Sequence, residues 1–145
     1  MDSPAARLTL LTICVTDLAK SAAFYEALGF RRRARKAEGV AFFDAGGVIL
    51  SLWSAGEMEK DAGIAVARTA GFGDVSLAWN VASPEEVDRA MARAASAGAR
   101  TLRKPATVFW GGYTGYFADP DDHIWEVAHN PTFPMLDDGR LMLPD

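Results

Sequence analysis

A strand followed by a capped helix occurs twice in this chain, and the duplication restricts the fold more than any other feature of the sequence. The first copy is the run RLTLLTICVTDLAKSAAFYEALGF, whose apolar strand starts near residue 10. The second copy, VSLAWNVASPEEVDRAMARAASAGAR, has its strand near residue 76. A unit of about 65 residues is too small to close a hydrophobic core alone. We therefore expect the two copies to pack together.

Each copy carries residues that are typical of helix ends. Asp17 and Ser83 stand at N-cap positions, where a side-chain oxygen accepts hydrogen bonds from the first helical amides. Glu86 follows Ser83 at the spacing of a capping box. Gly29 and Gly98 follow the last apolar position of each helix, where glycine readily adopts the left-handed conformation that ends a helix. Both helices are therefore predicted with defined ends.

Three short strands separated by turn residues are predicted after each helix. In the first half they are RRRARK, GVAFFDAGG and GVILSLWS, and in the second half they lie near residues 100–104, 113–118 and 123–129. The sequence thus predicts an α+β fold in which two βαβββ modules form a cupped mixed sheet around a cavity, with the helices outside. The predicted division is residues 1–70 for the first module with its linker, 71–130 for the second module, and 131–145 for a C-terminal tail.

Composition limits the partners of the protein. The chain has 145 residues, half of them apolar, and a formal net charge of −4. Nucleic acids and anionic membranes are not attracted to a net acidic protein, so we expect neither as a partner. Cys14 is the only cysteine, which excludes an internal disulfide. Because no run of about 18 apolar residues could span a bilayer, we expect a cytoplasmic protein that handles a small molecule.

The segments VTDLAKSAAFYEALGF and GYFADPDDHIWEVAHNP resemble the vicinal oxygen chelate superfamily, which includes glyoxalase I, bleomycin-resistance proteins and extradiol dioxygenases. The resemblance covers residues 7–130, and its most specific part is the pattern F-x-D-P-D-x-x-x-x-E from Phe117 to Glu126. It implies paired βαβββ modules around a concave cavity, often in a homodimer. It also implies, in many members, a divalent metal held by residues from four strands.

The metal positions of that family, carried over by motif, fall near Leu10, Ser51, Ser76 and Glu126. Only Glu126 is a suitable ligand, because a divalent ion needs several His, Asp or Glu donors. The two histidines, at positions 123 and 129, each lie three residues from Glu126, so strand alternation directs them to the other face. We therefore expect no bound metal and no other cofactor, and we interpret both histidines as surface or hydrogen-bonded residues.

Glu126 is the candidate catalytic residue, because it is a single carboxylate in an otherwise apolar strand. If Ile124 and Ala128 face the cavity with it, burial would raise the pKa of the Glu126 carboxyl and allow acid-base chemistry near neutral pH. Alternatively, a hydroxyl such as that of Ser51 or Ser76 holds the carboxylate in a structural role. The residues alone do not decide between these two interpretations.

Polar and aromatic side chains form the second set of candidates. A flat organic ligand could stack on rings that the glycines of VFWGGYTGY bring near the cavity, although the same rings could fill the interior as core. The opposite parity of Trp79 and Trp125 predicts that these two rings lie under the helices. The candidate ligand-binding residues are Thr12, Ser51, Trp53, Ser76, Trp110, Tyr113 and Tyr116.

Two classes of function remain open. The protein could bind a small organic molecule without a metal, as bleomycin-resistance proteins do. It could instead be a lyase, isomerase or dioxygenase of the glyoxalase type that uses Glu126 as an acid-base group or metal ligand. The C-terminal tail carries six large apolar residues, so it should dock on the body or on a second subunit, and we expect a homodimer. These residues are Phe133, Met135, Leu136, Leu141, Met142 and Leu143.

Overall fold

The computed structural model of the protein describes residues 3–67 and 73–145. Its elements, in chain order, are β1 (Leu10–Val15), α1 (Leu18–Leu28), β2 (Arg31–Arg33), β3 (Val40–Asp44), β4 (Ile49–Ser54), α2 (Ala55–Ala62), β5 (Leu77–Asn80), α3 (Pro84–Ala97), β6 (Arg100–Thr107), β7 (Tyr113–Ala118) and β8 (Ile124–His129). The predicted α+β fold with two βαβββ modules is confirmed. The predicted module boundary between residues 70 and 71 lies outside the described residues.

The two modules have the same sheet topology. The strand orders are β1-β4-β3-β2 and β5-β8-β7-β6, with β1 parallel to β4, β5 parallel to β8, and the other pairs antiparallel. Each module thus forms its own four-stranded mixed sheet. The basic segment Arg31–Arg33 forms strand β2, where the sequence predicted a strand, and β2 lies at the edge of its sheet.

The helix ends agree with the sequence. Asp17 accepts a hydrogen bond from the amide of Lys20, and Ser83 accepts one from the amide of Glu86. Glu86 reaches back to the amide of Ala82 at 2.7 Å, one residue before the N-cap. Gly29 and Gly98 end α1 and α3 in the left-handed conformation, with φ of 115° and 109°.

One hydrophobic core spans both modules. Helices α1 and α3 pack against each other, and each covers one face of its own sheet. Phe24 of α1 lies 6.4 Å from Phe117 of β7, and Tyr25 lies 6.0 Å from Trp125 of β8, measured between ring centroids. Burial of a large side chain contributes about 1.5 to 3 kcal/mol. Since these rings are shared between the modules, neither module can complete its core alone.

A buried polar group lies inside this core. The Tyr25 hydroxyl donates to Oδ2 of Asp119 at 2.6 Å and accepts from the indole nitrogen of Trp125 at 3.0 Å. Oδ1 of Asp119 accepts from the backbone amides of Asp121 and His123. Burial raises the pKa of the Asp119 carboxyl, although these hydrogen bonds oppose the shift. Burial also raises the pKa of Tyr25, as does the nearby charge of Asp119.

The turn after β7 also ties the second module to the first strand of the first. Oδ1 of Asp121 accepts hydrogen bonds from both the amide and the hydroxyl of Thr16, at 3.0 and 2.8 Å. Nε2 of His123 lies 2.7 Å from the carbonyl oxygen of Cys14. The acidic turn therefore has a structural role in joining the modules.

Two features were not fully predicted. Helix α2 begins at its N-cap Ser54 directly after β4 and has no buried residue. In the tail, Met135 pairs with Leu141 in a short hairpin, and the side chain of Arg140 lies beside Gly47 in the turn between β3 and β4. The tail thus contacts its own first module, while Leu143 remains exposed. Within residues 3–67 and 73–145, every helix is too short or too polar to cross a membrane.

Candidate functional site

Each sheet has one face packed against α1 or α3. We call the opposite face the open face; in the first sheet it is partly covered by α2, where Sγ of Cys14 lies 3.5 Å from Sδ of Met58. In β8, Trp125 and Val127 are buried toward α3, so alternation places Glu126 on the open face of the second sheet. Glu126 pairs in register with Tyr116 of β7 on one side and with Ala78 of β5 on the other. Glu126 thus lies on the same face of β8 as Ile124 and Ala128, as was assumed from the sequence.

Glu126 and Tyr116 form the centre of the candidate site. The Tyr116 hydroxyl donates a hydrogen bond of 2.7 Å to Oε2 of Glu126. This hydrogen bond raises the pKa of Tyr116, with smaller contributions from burial and the Glu126 charge, so the phenol stays protonated at neutral pH. Among the described residues no group donates to Oε1 of Glu126. That oxygen can accept a proton or a hydrogen bond from a ligand.

Arg103 of β6 adds a cation to this face. Its guanidinium carbon lies 5.3 Å from the centroid of the Tyr116 ring, which is within the range of a cation–π contact. Its Nη2 donates to the hydroxyl of Thr114, and this bond fixes the side chain along β7. The open face of the second sheet thus presents an anion, a hydroxyl and a cation around one aromatic ring.

The open face of the first sheet carries three other candidates. Thr12 and Ser51 are register partners in β1 and β4, and Trp53 follows Ser51 on the same face. Ser51 is buried, and the other two are half-buried. Thr12 also lines a cavity of about 280 Å³ between β1 and the acidic turn.

The remaining candidates are dispersed. Ser76 is exposed and lies one residue before β5. Trp110 lies in the turn between β6 and β7 with its ring against Gly112. Tyr113 points to the helix side, where its hydroxyl donates to Asp88 of α3 at 2.8 Å. Tyr113 and Tyr116 thus lie on opposite faces of β7, because residues three apart on one strand face opposite sides.

The residues at the family's metal positions do not fit a divalent ion. Of Leu10, Ser51, Ser76 and Glu126, only the last offers an ionic oxygen donor. In residues 3–67 and 73–145, no three His, Cys, Asp or Glu side chains lie together as a metal-binding group. The hydroxyl that contacts Glu126 belongs to Tyr116, whereas the sequence suggested Ser51 or Ser76.

The positions of the two histidines agree with the sequence. His123 contacts the carbonyl of Cys14, and Nδ1 of His129 lies 3.2 Å from the carbonyl oxygen of Val81. Both side chains are thus hydrogen-bonded to the backbone. Trp125 is buried and Trp79 is partly buried against the core, as their parity predicted.

Sequence reasoning missed Arg103 and the partner of Asp119. Arg103 occurs in RTLRKPAT, which has no motif, and its role becomes visible only when β6 is placed beside Tyr116. Asp119 could have been singled out, because it is a carboxylate flanked by the apolar residues of β7 and a proline turn. Its partner Tyr25 lies 94 residues away, so no local pattern links them.

Comparisons with known proteins agree with this architecture. The family model described as Glyoxalase/Bleomycin resistance protein/Dioxygenase superfamily matches residues 7–127. A glyoxalase-related enzyme from Fulvimarina pelagi is 35% identical, with a TM-score of 0.88 over 97% of this chain and 100% of that chain. A glyoxalase/bleomycin resistance protein/dioxygenase from Nocardioides is 31% identical, with a TM-score of 0.75 over 88% of this chain and 85% of that one.

A more distant structure shares the fold alone. Lactoylglutathione lyase from Agrobacterium tumefaciens is 22% identical, with a TM-score of 0.68 over 88% of this chain and 96% of that chain. No curated protein matches the chain. The family model covers more than half of the sequence, and two solved structures exceed 30% identity over most of it. The chain therefore belongs to the glyoxalase/bleomycin resistance protein/dioxygenase superfamily, as its resemblance to vicinal oxygen chelate proteins indicated.

Proposed function

We propose that the protein binds a small organic molecule on the open face of the second sheet, without a bound metal. The observation that carries this proposal is the contact between Tyr116 and Glu126, with Arg103 over the same ring. The carboxylate accepts hydrogen bonds, the guanidinium donates them, and the ring offers an apolar surface. This combination favours a compact ligand that has a hydrogen-bond donor and an acceptor on a partly apolar body.

The metal-free part of the proposal rests on the donor set. Leucine and serine cannot replace the ionic ligands that a divalent ion needs, and Glu126 alone cannot hold one tightly. Metal analysis of the purified protein tests this directly. Near-stoichiometric nickel, zinc, iron or manganese would contradict it.

The ligand-binding part is tested by native mass spectrometry of the full chain purified without denaturation. We expect a small-molecule mass bound to the wild type and to Glu85→Gln, which removes an exposed carboxylate on α3. The same mass should be lost from Glu126→Gln and reduced in Tyr116→Phe. Equal retention of the mass in all four proteins would place the ligand elsewhere.

A second candidate function is that of a glyoxalase-type lyase, isomerase or dioxygenase in which Glu126 transfers a proton. Two observations favour it: Oε1 of Glu126 is available for a ligand, and the relative from Fulvimarina pelagi is described as an enzyme. Turnover of the co-purified compound that Glu126→Gln abolishes, while binding is kept, would favour this function over simple binding.

We also propose a homodimer in the cytoplasm. The tail supports a dimer, because Leu141, Met142 and Leu143 are 38%, 44% and 72% exposed after the tail has docked on its own module. A contiguous exposed apolar patch is more typical of an interface than of a free surface, and three consecutive apolar residues can form such a patch.

A further inference from the structure

A cavity of about 480 Å³ lies between the two modules on the helix side of the sheets. Its walls come from the end of α1, the starts of β1 and β4, the edge strand β5, and the tail. None of the residues discussed above as ligand contacts lines it. Its volume lies within the range of about 300 to 1,000 Å³ that is usual for small-molecule sites.

Three aromatic rings form one wall of this cavity. Phe30 lies 6.4 Å from Trp79 and 5.7 Å from Trp125 between ring centroids. All three rings line the cavity. Trp125 is buried, whereas Phe30 and Trp79 are half-buried and so expose more of their surface to a ligand. The wall can therefore accept a flat apolar body of one or two fused rings.

Arg93 of α3 contributes a cation to the same cavity. Its Nε donates to the carbonyl oxygen of Ala27 at 2.9 Å, which holds the guanidinium over the end of α1. Gly29 permits this position, because a Cβ built there would lie 2.9 Å from Nη1. Among the described residues, no carboxylate forms an ion pair with Arg93. Its two terminal nitrogens are thus available to an anion.

Among the described residues that line the cavity, the other charged side chain is that of Asp138, which is paired within the tail. Asp138 forms an ion pair with Arg140, with 2.8 Å between Oδ2 and Nε. The remaining charge that faces the cavity is therefore positive. A guanidinium binds a planar carboxylate through two parallel hydrogen bonds.

Strand β5 adds backbone groups. The amide of Val81 donates to the carbonyl oxygen of Ala128. Because the N–H and C=O groups alternate in direction along a strand, those of Leu77 and Trp79 also point toward β8. The peptide groups of Ala78 and Asn80 consequently point away from β8, along the edge that lines the cavity. They can hydrogen-bond a polar group of a bound molecule.

From this arrangement we infer a second ligand site that takes a planar aromatic carboxylate, with its ring against Phe30 and Trp79 and its carboxylate on Arg93. The site is separate from the proposed site at Glu126. It does not depend on the proposed function.

The test uses the full-length protein and two probes of the same shape, 2-naphthoate and its neutral amide 2-naphthamide, in isothermal titration calorimetry. We expect naphthoate to bind about tenfold more tightly than the amide, since a hydrogen-bonded charge pair contributes more than a neutral contact. Arg93→Gln should remove this difference, and Arg93→Lys should keep part of it. Arg89→Gln, which changes another arginine of α3, should leave both affinities unchanged.

Two further variants locate the site. Trp79→Ala should weaken both probes by a similar factor, and Glu126→Gln should weaken neither. Failure of naphthoate to bind, equal affinity for the two probes, or an unchanged naphthoate affinity in Arg93→Gln would overturn the inference. Loss of naphthoate binding in Glu126→Gln would do the same, because it would place the probe at the site of the proposed function.

Discussion

Replacing Tyr25 by phenylalanine removes a single oxygen atom from the middle of the core. That oxygen donates to Asp119 and accepts from the indole of Trp125, and all three side chains are buried. A hydrogen bond to a charged group contributes about 1.5 to 3 kcal/mol, and a buried donor left without a partner costs about 1 to 3 kcal/mol. Local rearrangement around the missing hydroxyl should offset part of these two costs. We therefore expect the free energy of unfolding to fall by about 3 kcal/mol, near the lower end of their sum.

The loss should depend on pH. The folded-state pKa of Asp119 is raised above its ordinary value, chiefly by burial. Its contribution to stability is therefore complete below the ordinary carboxyl pKa and decreases as the pH rises through the raised pKa. The Tyr25 hydroxyl stabilises the ionised form, so its removal raises this pKa further and enlarges the decrease. The difference between wild type and Tyr25→Phe should grow from pH 4 to pH 7.

Urea denaturation followed by tryptophan fluorescence at both pH values measures these quantities. At neutral pH a loss of about 3 kcal/mol corresponds to a fall in Tm of about 6 to 12 °C for a domain of this size. Tyr113→Phe is the matched control, because it removes an exposed hydroxyl that also bonds an aspartate. If Tyr25→Phe is no more destabilising than this control, or if its effect shrinks toward pH 7, the buried group does not act as described.

Four more changes test other parts of the structure. Ser83→Ala removes the N-cap of α3 and should cost about 1 kcal/mol in thermal unfolding; no loss would contradict the cap. Gly112→Ala places a Cβ 2.1 Å from the ring of Trp110, so the ring must move, and its fluorescence emission should shift. Trp53→Ala should weaken a planar ligand at the open face of the first sheet by about 1 to 3 kcal/mol in calorimetry, and an equal loss of stability without a loss of binding would make this ring core. Deleting residues 132–145 should lower stability and shift the proposed dimer toward monomer in light scattering. A wild type that is monomeric at micromolar concentration would refute the dimer.

The parts of the fold that local chemistry determines were predictable. The capping residues Asp17 and Ser83 and the glycines after each helix have the same physical role in any protein, so both long helices were placed correctly. The same order of strand and helix patterns occurs in both halves of the sequence, and this repetition predicted that the two modules share one topology. Helix α2 was missed because it buries no residue and follows β4 without a turn. A helix of this kind leaves no apolar periodicity in the sequence.

The candidate site was less predictable because its contacts join distant strands. The motif singled out Glu126, and strand alternation places it on the face away from α3. Its partner Tyr116 was proposed as a ring for stacking, yet its hydroxyl makes the observed contact. Arg103 depends on the register of β6 beside β7, which includes two irregularities. A bulge shifts side chains between faces, so alternation along one strand cannot predict this contact.

The bond between Tyr25 and Asp119 also bears on how the chain folds as it is made. The ribosome adds 94 residues between these two positions, which takes about 5 to 20 s at roughly 5 to 20 residues per second. During that interval the Tyr25 hydroxyl of α1 lacks its partner Asp119, and the apolar face of α1 lacks the rings of Phe117 and Trp125 that pack against it. The core of the first module can therefore be completed only after the β7–β8 hairpin has been synthesised. Until then the aromatic rings of α1 remain exposed and can bind chaperones or other incomplete chains.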